Sequence, residues 1–91
     1  MSDEKPATTV KVKRVQTGLR IEQKMLKVLK ALAEYYGISL GDLLEGIVLH
    51  AFEGKSPFGQ EDIGRIETLK QVYDMTYDAS NSHHFVEVDN E

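Results

Sequence analysis

Val15-Gln16-Thr17-Gly18-Leu19-Arg20-Ile21 alternates apolar and polar side chains, and the reading of this stretch decides the fold of the 91-residue chain. In an extended backbone successive side chains point to opposite faces. Val15, Thr17, Leu19 and Ile21 then share one face, and Gln16, Gly18 and Arg20 the other. This predicts a two-faced strand of about seven residues, with β-branched side chains on its apolar side. Upstream, Val10 and Val12 alternate with Lys11 and Lys13. Residues 1–10 are largely polar, include Pro6 and read as a disordered arm.

Downstream of Ile21 the period becomes helical. Met25, Val28, Leu29, Leu32, Tyr35 and Tyr36 recur at helical spacing, and Gly37 suits the left-handed residue that ends a helix, so a first helix is expected over 22–36. Ser39, three residues before Asp42, opens the next helix in a capping-box-like arrangement. Leu40, Leu43, Leu44, Ile47, Val48, Ala51 and Phe52 then form an apolar stripe up to Gly54. Gly46 inside it signals either a close backbone approach or simple tolerance on a solvated face. Lys55-Ser56-Pro57-Phe58-Gly59 reads as a linker. A third helix is expected over 60–76, with Ile63, Ile66, Leu69, Val72 and Tyr73 in register and Glu61 and Asp62 at its start. Ala79 to Ser82 is turn-like, and the acidic end carries the signal of a short strand at Phe85–Val88. The expected organisation is therefore a disordered arm (1–10), a strand–helix–helix core (11–54), a linker with a third helix (55–78) and an acidic tail (79–91).

Charge is unevenly placed along the chain, whose net charge is −4. Residues 11–30 hold seven basic groups against Glu22 alone, whereas residues 31–91 hold three basic groups against twelve acids. Local potential rather than the total selects a partner, so a basic front and an acidic back are expected to act separately. No cysteine is present, which removes disulfides, cysteine-ligated zinc and thiol nucleophiles. Apolar runs are no longer than three residues, as at Ile47-Val48-Leu49, far short of a membrane span. A cytoplasmic protein without membrane partners is the expectation. No paired-carboxylate site, nucleophile with base or glycine-rich phosphate loop is visible, so neither an enzyme nor a cofactor is expected. His83-His84 lacks the three or four convergent ligands of a defined metal site, with Asp78, Glu87 and Asp89 the nearby acids, and no metal is expected. His50 reads as packed or partly exposed.

One strand and two helices cannot close a core alone. A lone strand has two unpaired edges, and the second helix is apolar over more surface than one neighbour covers. Two copies would remove both defects, with their strands paired into an antiparallel ribbon above four helices. Val15, Leu19, Ile21, Leu29, Leu32, Leu43, Leu44, Ile47 and Val48 are the expected dimer core of such a homodimer, whose folding and association are inseparable.

The Val15–Ile21 segment, the helix ending at Gly37 and the Ile38-Ser39-Leu40-Gly41-Asp42 entry together resemble the ribbon-helix-helix repressors of the MetJ and Arc type. The resemblance spans roughly residues 11–54. It implies a mainly α fold with one β-strand and an intertwined homodimer with a two-stranded antiparallel ribbon, to which the C-terminal third helix is an addition that the resemblance does not account for. It also implies a sequence-specific DNA-binding transcriptional repressor whose ribbon enters the major groove of double-stranded DNA. Carried over by position, Gln16, Gly18 and Arg20 would face the bases. Arginine can bond bidentately to guanine and glutamine to adenine, each pair giving ~1–3 kcal/mol of discrimination. Gly18 departs from the pattern, so either the backbone approaches the bases closely or specificity is reduced there. Lys11, Lys13, Arg14 and Lys24 would follow phosphates, and Ser39, Leu40 and Gly41 would offer helix N-terminal amides to one.

Plainer readings stand beside these. Arg20 also serves as a charge that keeps an exposed edge from aggregating. Lys24, Lys27 and Lys30 equally form a solubilising stripe, and Ser39 caps a helix whatever the function. Tyr35 and Tyr36 read as core and rim. The third helix is expected to enlarge the core, to join dimers on adjacent half-sites, or to bind a protein partner. The acidic tail is expected to compete with DNA for the basic front. The alternative function is a protein-interaction module, such as an antitoxin of a toxin–antitoxin pair, or a dimeric scaffold with weak DNA binding.

Overall fold

Helix boundaries follow from the capping chemistry. In the computed structural model, which describes residues 8–88, helix α1 spans Gln23–Tyr36. Glu22 caps it, its carboxylate accepting from the Met25 amide at 2.7 Å. Gly37 ends it with φ 71°. Its amide donates to Glu34 and that of Ile38 to Ala33, the paired bonds of a Schellman end. Helix α2, Leu40–Phe52, starts where the Ser39 hydroxyl accepts from the Asp42 amide at 3.0 Å. Gly54 (φ 70°) closes it with the same pair of bonds, from Gly54 to Ala51 and from Lys55 to His50.

Helix α3 spans Gln60–Val72, four residues short of the expected end. Its periodicity does continue through Tyr73 and Tyr77, but Asp74 takes the left-handed conformation (φ 56°). The Asp74 amide bonds back to Gln71 and that of Met75 to Lys70, so the chain turns off as it does at the two glycines. The Asp74 carbonyl accepts from Lys24 Nζ at 2.9 Å, which fixes this exit against α1. Beyond it the chain runs back as a strap containing a single 3₁₀ turn, Ala79–Asn81, in the segment read as turn-like.

The core centres on α1, which packs against α2 and α3. Val28, Leu32 and Ala33 of α1 and Leu43 of α2 are buried, and Leu32 is 1% exposed. Leu29, Tyr36, Ile47, Phe58, Ile66, Leu69, Tyr73 and Met75 surround them. Fully burying a leucine contributes about 1.5–3 kcal/mol, so four buried side chains make a thin core. Phe58, from the segment read as a linker, is part of this shell. At the far end α3 is locked to α1 by polar contacts. The Tyr36 hydroxyl donates to the Asp62 carboxylate, and Arg65 Nη1 donates to the same carboxylate at 3.2 Å. The Arg65 guanidinium also lies 4.4 Å from the centre of the Tyr35 ring. That hydrogen bond raises the Tyr36 pKa and lowers that of Asp62, because it favours the neutral phenol and the charged carboxylate.

Two expectations about strands are corrected. Among the described residues there are three α-helices, one 3₁₀ turn and no β-strand. Residues 15–21 and 85–88 are unpaired segments outside any regular element. A strand exists only as one member of a hydrogen-bonded ladder, and among the described residues neither segment has a neighbour. The apolar side of the alternation is consequently uncovered, with Val15 84% and Leu19 69% exposed. The fold is mainly α, and the β-ribbon of the ribbon-helix-helix architecture, on which the intertwined dimer rested, is not formed. The disordered arm expected over 1–10 lies outside the described residues for positions 1–7, as do 89–91 of the acidic tail. Among the described residues no helix is long and apolar enough to cross a membrane.

Candidate nucleic-acid interface

Every residue from Thr8 to Arg20 is exposed. The radius of gyration, 15.4 Å, exceeds the ~12 Å of a compact chain of this length, as expected when such a segment stands off the helices. Lys11, Lys13, Gln16, Gly18 and Arg20 are all on this outer segment. A Cβ at Gly18 would meet nothing within 4 Å among the described residues, so none of them requires the glycine. The same holds for Gly46, which within this chain leaves the reading of tolerance.

The arginines are held by acids far away in sequence. Arg14 makes a two-pronged pair with Glu45 of α2, with Nε and Nη2 each 2.8 Å from a carboxylate oxygen. This fork geometry is the strongest that an arginine–carboxylate pair adopts. It raises the Arg14 pKa and lowers that of Glu45, chiefly through the hydrogen bond. Arg20 is ion-paired with Glu87 of the strap. Lys24 reaches the Asp74 carbonyl as described. The segment is thereby tied at Arg14 to α2 and at Arg20 to the C-terminal strap, while Lys11 and Lys13 extend into solvent.

The remaining expected contacts are more dispersed. Ser39 is exposed and its hydroxyl is spent on the cap, while Leu40 and Gly41 form the first turn of α2. Of the expected dimer core, Leu32 and Leu43 are buried and Ile21, Leu29, Leu44 and Ile47 are partly buried. Val15, Leu19 and Val48 are exposed. On α2 only Leu43 is buried, and Leu49 and Phe52 (80% exposed) project outward. The His50 ring faces the Gly46 carbonyl at 2.7 Å. Among the described residues no group of three or more His, Asp or Glu side chains converges on a position able to hold a metal ion.

Sequence reasoning missed Glu45 and Asp74 as partners of the basic residues. Glu45 lies thirty-one positions from Arg14, and nothing local marks such a pair. Glu87 did have a signal, the acidic back of the chain facing its basic front. At the α1 start, Glu22 is partly buried, which opposes its charge. The neighbouring Tyr77 hydroxyl and the Lys24 and Met25 amides nevertheless hold its carboxyl below the usual range. Tyr77 is pushed the other way, to about 12, by burial and then by Glu22. Comparison of the chain with family models, with curated proteins and with solved structures found no match.

Proposed function

We propose that the chain is a transcriptional regulator, acting as a repressor in the cytoplasm, that grips double-stranded DNA with the extended basic segment 11–20 and the start of α1. The observation that carries this reading is the uninterrupted exposure of Lys11 to Arg20, at the basic end of a chain whose remainder is acidic. Lys11, Lys13 and Arg14 match phosphates as cations, and Lys24 flanks them. Gln16 and Arg20 have the donor and acceptor patterns for adenine and guanine edges. With no side chain at Gly18, a base edge can approach the backbone. No catalytic role is part of this reading.

A second copy is the partner we assign to the outer face of α2. Its support is the exposure of Val48, Leu49 and Phe52 on a helix that buries only Leu43. Large exposed apolar patches mark interaction surfaces. The alternative, a protein-interaction module, rests on the same surface.

Fluorescence anisotropy against a labelled fragment of the upstream region of its own gene tests the DNA reading. Titrations run at several salt concentrations, with a scrambled fragment and Arg20→Ala as controls. Salt-sensitive binding that prefers the upstream fragment and is crippled by the substitution is the expected result. Equally weak binding of both fragments by both proteins at low salt sinks the reading, and the search then moves to a protein partner.

A further inference from the structure

The strap after α3 is bounded by two residues in the left-handed conformation, Asp74 (φ 56°) and His83 (φ 69°), the two non-glycine cases among the described residues. Such backbone is held only where its surroundings fix it, and it clusters at functional segments. Lys24 fixes one end through the Asp74 carbonyl. Further along, Tyr77 and Phe85 meet edge-to-face, their ring centres 5.3 Å apart. In the 3₁₀ turn between them, Asp78 accepts from the Ser80 amide and hydroxyl at 3.0 and 2.6 Å.

Beneath the strap is a half-open pocket of about 390 Å³. Met25 and Leu29 of α1, Ile66 of α3 and Met75, Tyr77 and Phe85 of the strap are among the residues of its wall. Ligand pockets are lined mainly by apolar and aromatic side chains, as this one is. Small-molecule sites begin at about 300 Å³. The charged groups of the lining are Lys70 and Asp78. They are opposite in sign and act on one another, the lysine helping to keep the Asp78 carboxyl ionised after the hydrogen bonds from Ser80. The site therefore offers no net charge for a ligand to balance.

We propose that this pocket binds an uncharged, largely apolar small molecule, held between α1, α3 and the strap of residues 75–85. The proposal does not depend on the DNA reading. It does connect to the same segment, because the strap places Tyr77 beside Glu22 and carries Glu87 to Arg20.

The test uses the full chain and N-phenylnaphthylamine, a neutral probe that becomes fluorescent in apolar surroundings. Saturable uptake is expected, with the methyl NMR signals of Met25 and Met75 shifting along the same titration. Ala79→Trp fills the pocket from the strap side and is expected to weaken uptake about tenfold, a loss of ~1.4 kcal/mol. Gln71→Trp, an exposed α3 position outside the lining, leaves uptake unchanged. Ala79→Leu provides a smaller filling should the larger one disturb the strap, and circular dichroism checks that each variant keeps its helices. Absence of saturable uptake by the wild type overturns the proposal, as do equal affinities in all the proteins or methyl shifts elsewhere than at Met25 and Met75. Uptake that declines as protein concentration rises assigns the pocket to a second copy and overturns it too.

Discussion

Replacing Glu45 by glutamine gives a numerical test of how the basic segment works. The carboxylate holds both prongs of Arg14 at 2.8 Å, and glutamine preserves its shape while removing its charge. An arginine that remains paired with its own acid displaces no counterion from DNA. Binding falls with salt with a slope of about −0.9 for each phosphate neutralised, in plots of log K against log salt. If Arg14 stays with Glu45, then Lys11, Lys13 and Lys24 remain as phosphate contacts, and each chain contributes a slope of about −2.7. Glu45→Gln frees Arg14 and steepens this to about −3.6. Between about 50 and 200 mM salt, the freed Arg14 costs the variant roughly a further 3.5-fold in affinity, so its advantage is greatest at low salt. Anisotropy titrations across that range read the slopes directly. Glu53→Gln removes an equal charge from the end of α2, where Glu53 pairs with Lys55, and separates local release from total charge. Identical slopes for wild type and Glu45→Gln, or an equal steepening in Glu53→Gln, refute the argument that Arg14 is a phosphate contact restrained by Glu45.

Two further outcomes concern stability. Asp74→Gly should stabilise the fold by about 1 kcal/mol, since glycine takes the left-handed conformation at C′ without the Cβ penalty. In a domain of this size that raises Tm by about 4–8 °C, and a lowered Tm would show that the Asp74 side chain has a role beyond the turn. The second outcome is an alkaline loss of stability. The fold keeps the Tyr77 phenol neutral to about pH 12, whereas an unfolded chain does so only to about pH 10. The contribution of Tyr77 is thus complete below pH 10 and is lost as pH rises towards 12. Tyr77→Phe should flatten the fall in urea midpoints over this window, leaving the part due to Tyr36, whose pKa is also raised; an unchanged fall rules Tyr77 out as its source.

The helices were legible wherever a local chemical signal ends them. Gly37 and Gly54 turn the chain as glycines do, and Ser39 caps α2 as its position predicts, so α1 and α2 lie within a residue or two of their expected limits. Asp74 gives a weaker signal because the apolar register continues beyond it, and α3 was read too long. The alternation of Val15 to Ile21 marks which side chains share a face, but a strand also needs a neighbour, which lies beyond the information in the segment. The apolar stripe of α2 was equally plain, yet it fixes only what should be covered, and within one chain Leu43 alone is buried. Phe58 was hidden by Pro57 and the glycines around it. At the candidate interface the basic residues stood out by clustering. Their restraint by Glu45, Glu87 and Asp74 depends on the folded path of the chain and has no local trace.

The extended segment also bears on how long the protein lasts. The backbone from Thr8 to Arg20 belongs to no regular element, and it presents Lys11, Lys13, Arg14 and Arg20 in the exposed form that a trypsin-like protease accepts. Cleavage should begin there and leave the three helices behind, cut off from their basic front. A partner covering the segment protects those same peptide bonds. Occupancy and turnover are thereby coupled through one stretch of backbone, with unbound copies the first to be cleared.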